Sequence, residues 1–211
     1  MNEPILTYVC EHCGRTLRIP RRYAGTKGTC KRCGNPIAVP PQHTLEPLAW
    51  DGDRGDLVHW IREQVKSGIP CEVVLHHVAS AERQGMAARR AHDLEATCNA
   101  LVDSLLARFE EAQRLEASGR QDDAVRLYER QLREGDLSGV THERLWRIYR
   151  DRGQVEEAVR VCLSYMDTAN RALANGWVTD TISAEDLTRL AAESHQRVAA
   201  LRDGTPGPNN G

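Results

Sequence analysis

Aromatic residues make up only 5% of the 211-residue chain, with a single Phe among them. So little ring volume predicts that most of the chain is a helical assembly packed with Leu, Val and Ala. No run of 18 apolar residues occurs, so no membrane-spanning helix and no membrane partner are expected. There is no P-loop, no G-x-G-x-x-G and no H-E-x-x-H. Glu72 and His76 stand four apart with His77 adjacent, but one such pair on a helix is ordinarily surface or packing, and His59 and His92 have less company still. An enzyme built on His76 and His77 would need a second metal. The chain is read as non-enzymatic, with no small-molecule substrate indicated. Residues 1–9 contain Glu3 and Pro4 and lack the apolar stretch of a secretory leader, so a reducing, cytoplasmic setting is expected. Lysine is scarce too: Lys27, Lys31 and Lys66 are the full set.

Cysteine is not scarce, and four of the seven fall in a pattern. Cys10 to Pro40 holds two C-x-x-C-G pairs, Cys10/Cys13 with Gly14 and Cys30/Cys33 with Gly34, 20 residues apart. Each pair is followed by the same Φ-x-Φ-P, filled by Leu17, Ile19 and Pro20 and then by Ile37, Val39 and Pro40. Two cysteines at this spacing in a tight turn aim both sulfurs at one tetrahedral ion, and the glycine accepts the positive φ that closes the turn. Two such turns make a closed four-thiolate shell with no position left for water or substrate, which predicts one structural metal ion. The Φ-x-Φ alternation reads as a short strand stopped by its proline. Two small hairpins clamped on one ion are therefore expected. Disulfides would need an oxidising compartment, rubredoxin-type iron an aromatic core where only Tyr8 and Tyr23 are at hand, and a thioredoxin-like pair a βαβ setting, so zinc is the expected cofactor. His12 and His43 lie near the site and are expected to face solvent.

This stretch resembles the zinc ribbon family over about the first 40 residues, and the resemblance implies Cys10, Cys13, Cys30 and Cys33 as zinc ligands. It implies a fold and a metal but no task. The module is also basic. Through residue 42 seven basic residues face two acidic ones, and the remainder of the chain carries 21 basic and 28 acidic residues. Four thiolates and a divalent ion would leave the ribbon at about +3.

Beyond Pro40, prolines 40, 41 and 47 mark a linker over 42–53, with Trp50 expected to dock on the first helix. Leu57, Trp60, Ile61, Gln64 and Val65 recur at helical steps up to Gly68, and Pro70 opens a second helix with Val74, Val78 and Ala81 on one face and Gly85 at its close. A long helix should run from Leu94 through Cys98, Leu101, Leu105, Phe109, Ala112 and Leu115 to Gly119, leaving Asp103 and Arg108 wet. Cys71, Cys98 and Cys162 sit at helical positions and read as small buried apolar groups. Ser183 should cap a last helix with Leu187, Leu190, Ala191, Ser194, Val198 and Leu201 as its stripe, and the Pro/Gly/Asn-rich residues 204–211 read as a disordered tail.

Residues 119–126 (GRQDDAVR) align with 153–160 (GQVEEAVR) at an offset of 34, matching the glycine, the alanine and the Val-Arg after it. This second duplication resembles the tetratricopeptide repeat, a 34-residue helix-turn-helix unit, over roughly Leu105 to Met166. The resemblance implies that Gly119 and Gly153 make the turns, that Ala124 and Ala158 let the paired helices approach, and that Tyr128 and Cys162 fill the second helices. The proline usual after the second helix is missing, with Gly135 or Gly139 in its place, and Trp146 stands where a small residue is usual. The expected fold is thus mainly α with a small N-terminal β zinc ribbon: ribbon 1–41, linker 42–53, helical domain 54–203 with repeat-like units at about 105–170, and tail 204–211.

Two function classes follow. In the first the chain is an adaptor whose helical repeats bind a protein or peptide, with Arg114, Arg144, Arg147 and Arg150 available to an acidic segment. In the second the ribbon grips DNA or RNA, with Arg18, Arg21, Arg22, Lys27, Lys31 and Arg32 on phosphates and Tyr23 stacking.

Overall fold

The computed structural model describes residues 3–43, 54–67, 69–82, 88–134, 136–179 and 181–203, in places within 54–56 and 79–101 by backbone alone. As expected, the fold is mainly helical, with seven helices and two small antiparallel hairpins among the described residues. Trp50, Gly68, Gly85, Gly135, most of the linker and the tail 204–211 lie outside the described residues, as do the side chains of Leu94, Cys98 and Leu101.

The chain falls into two compact units that are not consecutive in sequence. One comprises residues 1–44 and 137–211, the other residues 45–136. The sequence assigns 54–203 to one helical body; the structure instead groups the last three helices with the ribbon.

In the first unit, strand β1 (Ile5–Val9) pairs with β2 (Thr16–Pro20), and β3 (Lys27–Thr29) pairs with β4 (Pro36–Ala38), each as a separate two-stranded sheet. The register sets Tyr8 opposite Leu17 and Leu6 opposite Ile19. Leu6, Tyr8, Cys10, Cys30, Ile37 and Val39 close into a small core, and Ala174 of a helix completes it. That helix is α6 (Val155–Asn175), which packs against α5 (Val140–Asp151) on one side and α7 (Ala184–Arg202) on the other.

The turn between α5 and α6 is made at the glycine of the second duplicated segment. Gly153 takes φ +69°, Ala158 is fully buried, and Cys162 and Tyr165 fill the face behind it. Trp146, the bulky exception, is buried with the guanidinium groups of Arg150 and Arg197 each 4.7 Å from its ring centroid. α6 then runs on to Asn175, where Gly176 at φ +68° ends it and the Trp177 amide donates back to the Ala172 carbonyl at 2.9 Å. Ser183 caps α7 as expected: its hydroxyl accepts from the Asp186 amide at 3.1 Å, and Asp186 accepts from the Ser183 amide at 3.1 Å.

The second unit contains α1 (Arg54–Lys66), α2 (Cys71–Glu82), α3 (Ala88–Ala117) and α4 (Gln121–Glu134). Leu57, Ile61, Val74 and Val78 are buried on the faces their spacing predicts. α3 and α4 form the other helix pair around Gly119 at φ +79°, with Ala124 and Tyr128 fully buried and the Tyr128 hydroxyl donating to Glu116 at 2.9 Å. Arg108 does not stay wet: it forks onto Glu134 of α4 with bonds of 2.8 and 2.7 Å and is only 22% exposed. A half-buried bidentate pair of this kind fixes the register of two helices, which a stripe of apolar residues alone does not.

Candidate metal centre

Both C-x-x-C-G turns fold alike. The Gly14 amide donates to the Cys10 carbonyl at 2.8 Å and the Cys10 amide to the Arg15 carbonyl at 3.0 Å; the Gly34 amide donates to the Cys30 carbonyl at 2.9 Å and the Cys30 amide to the Asn35 carbonyl at 2.8 Å. Gly14 and Gly34 adopt φ of +65° and +74°, so the glycine in each motif is required by the backbone. Each hairpin thus ends in a turn presenting two thiols, and the two turns face each other.

The four sulfurs meet. Cys10 and Cys33 stand 3.9 Å apart, Cys13 and Cys30 likewise, and all four lie within 4.8 Å of one another. A tetrahedral ion bound at about 2.3 Å to each sulfur requires S···S edges of about 3.8 Å. The spacing fits a tetrathiolate site and is far too long for disulfides, whose sulfurs are about 2.05 Å apart. Backbone N–H groups of Arg32 and Cys33 pull the Cys30 thiol down to about 6, whereas burial pushes Cys10 up to about 12 and raises Cys13 as well. The quartet therefore holds a thiolate-stabilising turn beside two thiols raised by desolvation, and a divalent cation would supply the charge that favours the thiolate form of all four. Among the described residues it is the one cluster of three or more side chains able to hold a metal ion.

Asn170 of α6, which the sequence reading passed over, fixes the site from outside. Its Oδ1 accepts from the Val9 amide at 2.7 Å and its Nδ2 donates to the Val9 carbonyl at 2.9 Å, next in sequence to the first ligand. Asn170 is 3% exposed, among Met166, Ala169 and Leu173. An amide in an otherwise apolar helix face was the available signal. Downstream, Gln42 donates to the Ala174 carbonyl at 2.7 Å, and Asn175 accepts from the His43 amide at 2.6 Å. Residues 42 and 43, expected to begin a linker, are thus bonded to α6. His43 is only partly exposed, with its ring 6.0 Å from that of Trp177. His12 is exposed as expected, yet its Nε2 donates to the Pro36 carbonyl of the other hairpin at 2.9 Å.

Of the basic candidates, Arg18, Arg21, Arg22, Lys27, Lys31 and Arg32 are all exposed on the ribbon. Arg21 bonds Gln42 at 2.6 Å, and Arg22 pairs with Glu3 and covers the Tyr23 ring at 4.8 Å. The helical candidates fall in different units: Arg114 belongs to the second unit, where it pairs with Glu111 at 2.8 Å. Arg144, Arg147 and Arg150 stand on α5, with Arg147 paired to Glu143 and Arg150 to Asp151. His77 packs on Trp60 with ring centroids 6.3 Å apart. Cys162 is a buried thiol raised to about 12 by desolvation, and burial likewise lifts Cys71 to about 11.

Fold and site together define a mainly helical protein with a small β module and a cysteine quartet able to bind a metal ion. No helix among the described residues is long and apolar enough to cross a membrane. No family model matches the chain, and neither a curated protein nor a solved structure matches it.

Proposed function

We propose that the protein is a non-enzymatic adaptor in the cytoplasm: a ribbon closed on one structural zinc ion, joined to tetratricopeptide-like helix pairs that bind a protein partner. The observation that carries this reading is the four-sulfur cluster, whose chemistry and spacing suit zinc and whose closed shell offers no position for a substrate. The repeat reading is supported by two helix-turn-helix pairs that agree at Gly119 and Gly153, Ala124 and Ala158, and Tyr128 and Cys162, all in the environments a repeat unit needs. Purified protein is expected to carry about one zinc per chain, lost with Cys10→Ser or Cys30→Ser. Affinity capture from the native cell should return a partner that is lost when Arg144 and Arg147 are changed to Glu. A metal-free wild-type protein would remove the zinc half of the reading, and a partner set unchanged by the α5 variant would remove the helical half.

The exposed cations of the ribbon favour a second reading, in which it contacts DNA or RNA. That reading expects affinity to fall steeply as salt rises, and flat or absent binding removes it.

A further inference from the structure

The ribbon carries an open groove of about 700 Å³ lined by residues of both hairpins. All five residues of β2 and all three of β3 line it, with Ile37 as the one contribution of β4 and none from β1. A sheet face presents alternate residues of both strands. Consecutive residues from one strand of each pair mark strand edges instead. Among the described residues each sheet has only two strands, so these edges of β2 and β3 have no ladder of their own there, and no backbone bond joins them to each other. Two unpaired edges thus face one groove, over an apolar floor of Leu17, Ile19, Ile37 and Val39.

The rim is cationic. Arg18, Arg22, Lys27, Lys31 and Arg32 all line the groove, and only Arg22 has a carboxylate partner among the described residues. Most helical arginines behave differently: Arg108, Arg114, Arg120, Arg126, Arg147 and Arg160, for example, each sit against a carboxylate of their own unit. The four unpaired groove cations are therefore a local feature and not the general habit of the chain. Nucleic acid would use the charges but not the edges, and it would need ring platforms; the one ring here, Tyr23, is already covered by the Arg22 guanidinium.

We propose that this groove takes an extended acidic peptide segment of a protein partner, added as a strand along β2 or β3, with its carboxylates on Arg18, Lys27, Lys31 and Arg32. Main-chain bonds to the open edge supply affinity, alternate apolar side chains meet the floor, and the intervening acidic ones meet the rim. β2 offers an edge of roughly 16 Å, enough for about five residues of such a segment. This inference rests on the metal-clamped hairpins and not on the repeat reading, so it stands or falls separately from capture through α5.

The test is fluorescence anisotropy on the full-length, zinc-loaded chain with a labelled peptide of alternating Glu and Val, roughly eight residues long. Saturable binding is expected, weakened about tenfold or more by Arg18→Glu with Lys27→Glu while zinc content and circular dichroism stay unchanged, and weakened in the same direction by the milder Arg18→Gln with Lys27→Gln. The same peptide N-methylated at alternate amides should bind at least about tenfold less well, because it cannot complete a ladder. No binding, binding indifferent to N-methylation, or tighter binding of a short oligothymidylate that displaces the peptide would each overturn the proposal.

Discussion

At the scale of single residues, the four cysteines are half of what makes the site, and Asn170 is much of the rest. Its carboxamide takes the place of a neighbouring strand for Val9, satisfying a buried donor and a buried acceptor at once. Asn170→Leu strips both partners, and the expected loss is about 1–3 kcal/mol per orphaned group, read by denaturant unfolding of zinc-loaded protein. Gly14 and Gly34 provide a sharper comparison, since both have positive φ and both follow the second cysteine of a pair. A Cβ on Gly34 meets nothing within 4 Å, while one on Gly14 would lie 2.7 Å from Nδ1 of His195 on α7. Gly34→Ala should therefore cost about 1–2 kcal/mol of backbone strain alone. Gly14→Ala should cost more, and His195→Ala in the same chain should recover the excess. Equal losses in the two single variants would show that α7 does not press on the first turn. The four cysteines and two glycines were legible because ligand geometry imposes a fixed spacing on a single short segment. Asn170 was less so, because an amide on an apolar helix face marks a buried polar group without naming its partner, which here is 161 residues away.

At the scale of elements, local periodicity carried most of the helices. The Leu57 and Val74 faces, the glycine turns at 119 and 153 and the Ser183 cap all follow from spacing and cap chemistry within a few residues. What periodicity missed is where helices extend and which charged residues they bury. α6 continues beyond the repeat-like stretch to Asn175, and that added length carries Asn170, Ala174 and Asn175, the residues that hold the ribbon. Arg108 lies off the apolar stripe, where spacing alone predicts a wet side chain, yet Glu134 meets it across the α3/α4 pair. The two small residues at the helix crossings are the most exacting part of each pair. Ala124 and Ala158 are fully buried, so Leu at either position forces its helix away from its neighbour at a cost of about 1–3 kcal/mol. Thermal unfolding of Ala124→Leu and Ala158→Leu should show both losses, and indifference at either would argue against close packing in that pair.

At the scale of the molecule, the ribbon is part of the unit that α5, α6 and α7 build, and this changes what metal loss should do. A free-standing ribbon would unfold alone on chelation and leave every helix as it was. Here the small core beside the four cysteines includes Ala174, and Val9 and His43 are bonded to α6 at either end of the ribbon. A structural zinc site contributes on the order of 10 kcal/mol to a module this small, more than its few buried side chains supply. Removing the ion therefore uncovers the ribbon-facing side of α6, leaving Asn170, Ala174 and Asn175 to water. Hydrogen exchange after chelation should show faster exchange first in β1 and around the Cys10 and Cys30 turns, and then in the last turns of α6 from Met166 to Asn175. The first turns of α6, packed on α5 through Ala158 and Val161, should keep their protection. Uniform protection along α6 after complete zinc removal would mean that the hairpins hold their place on the helix without the ion.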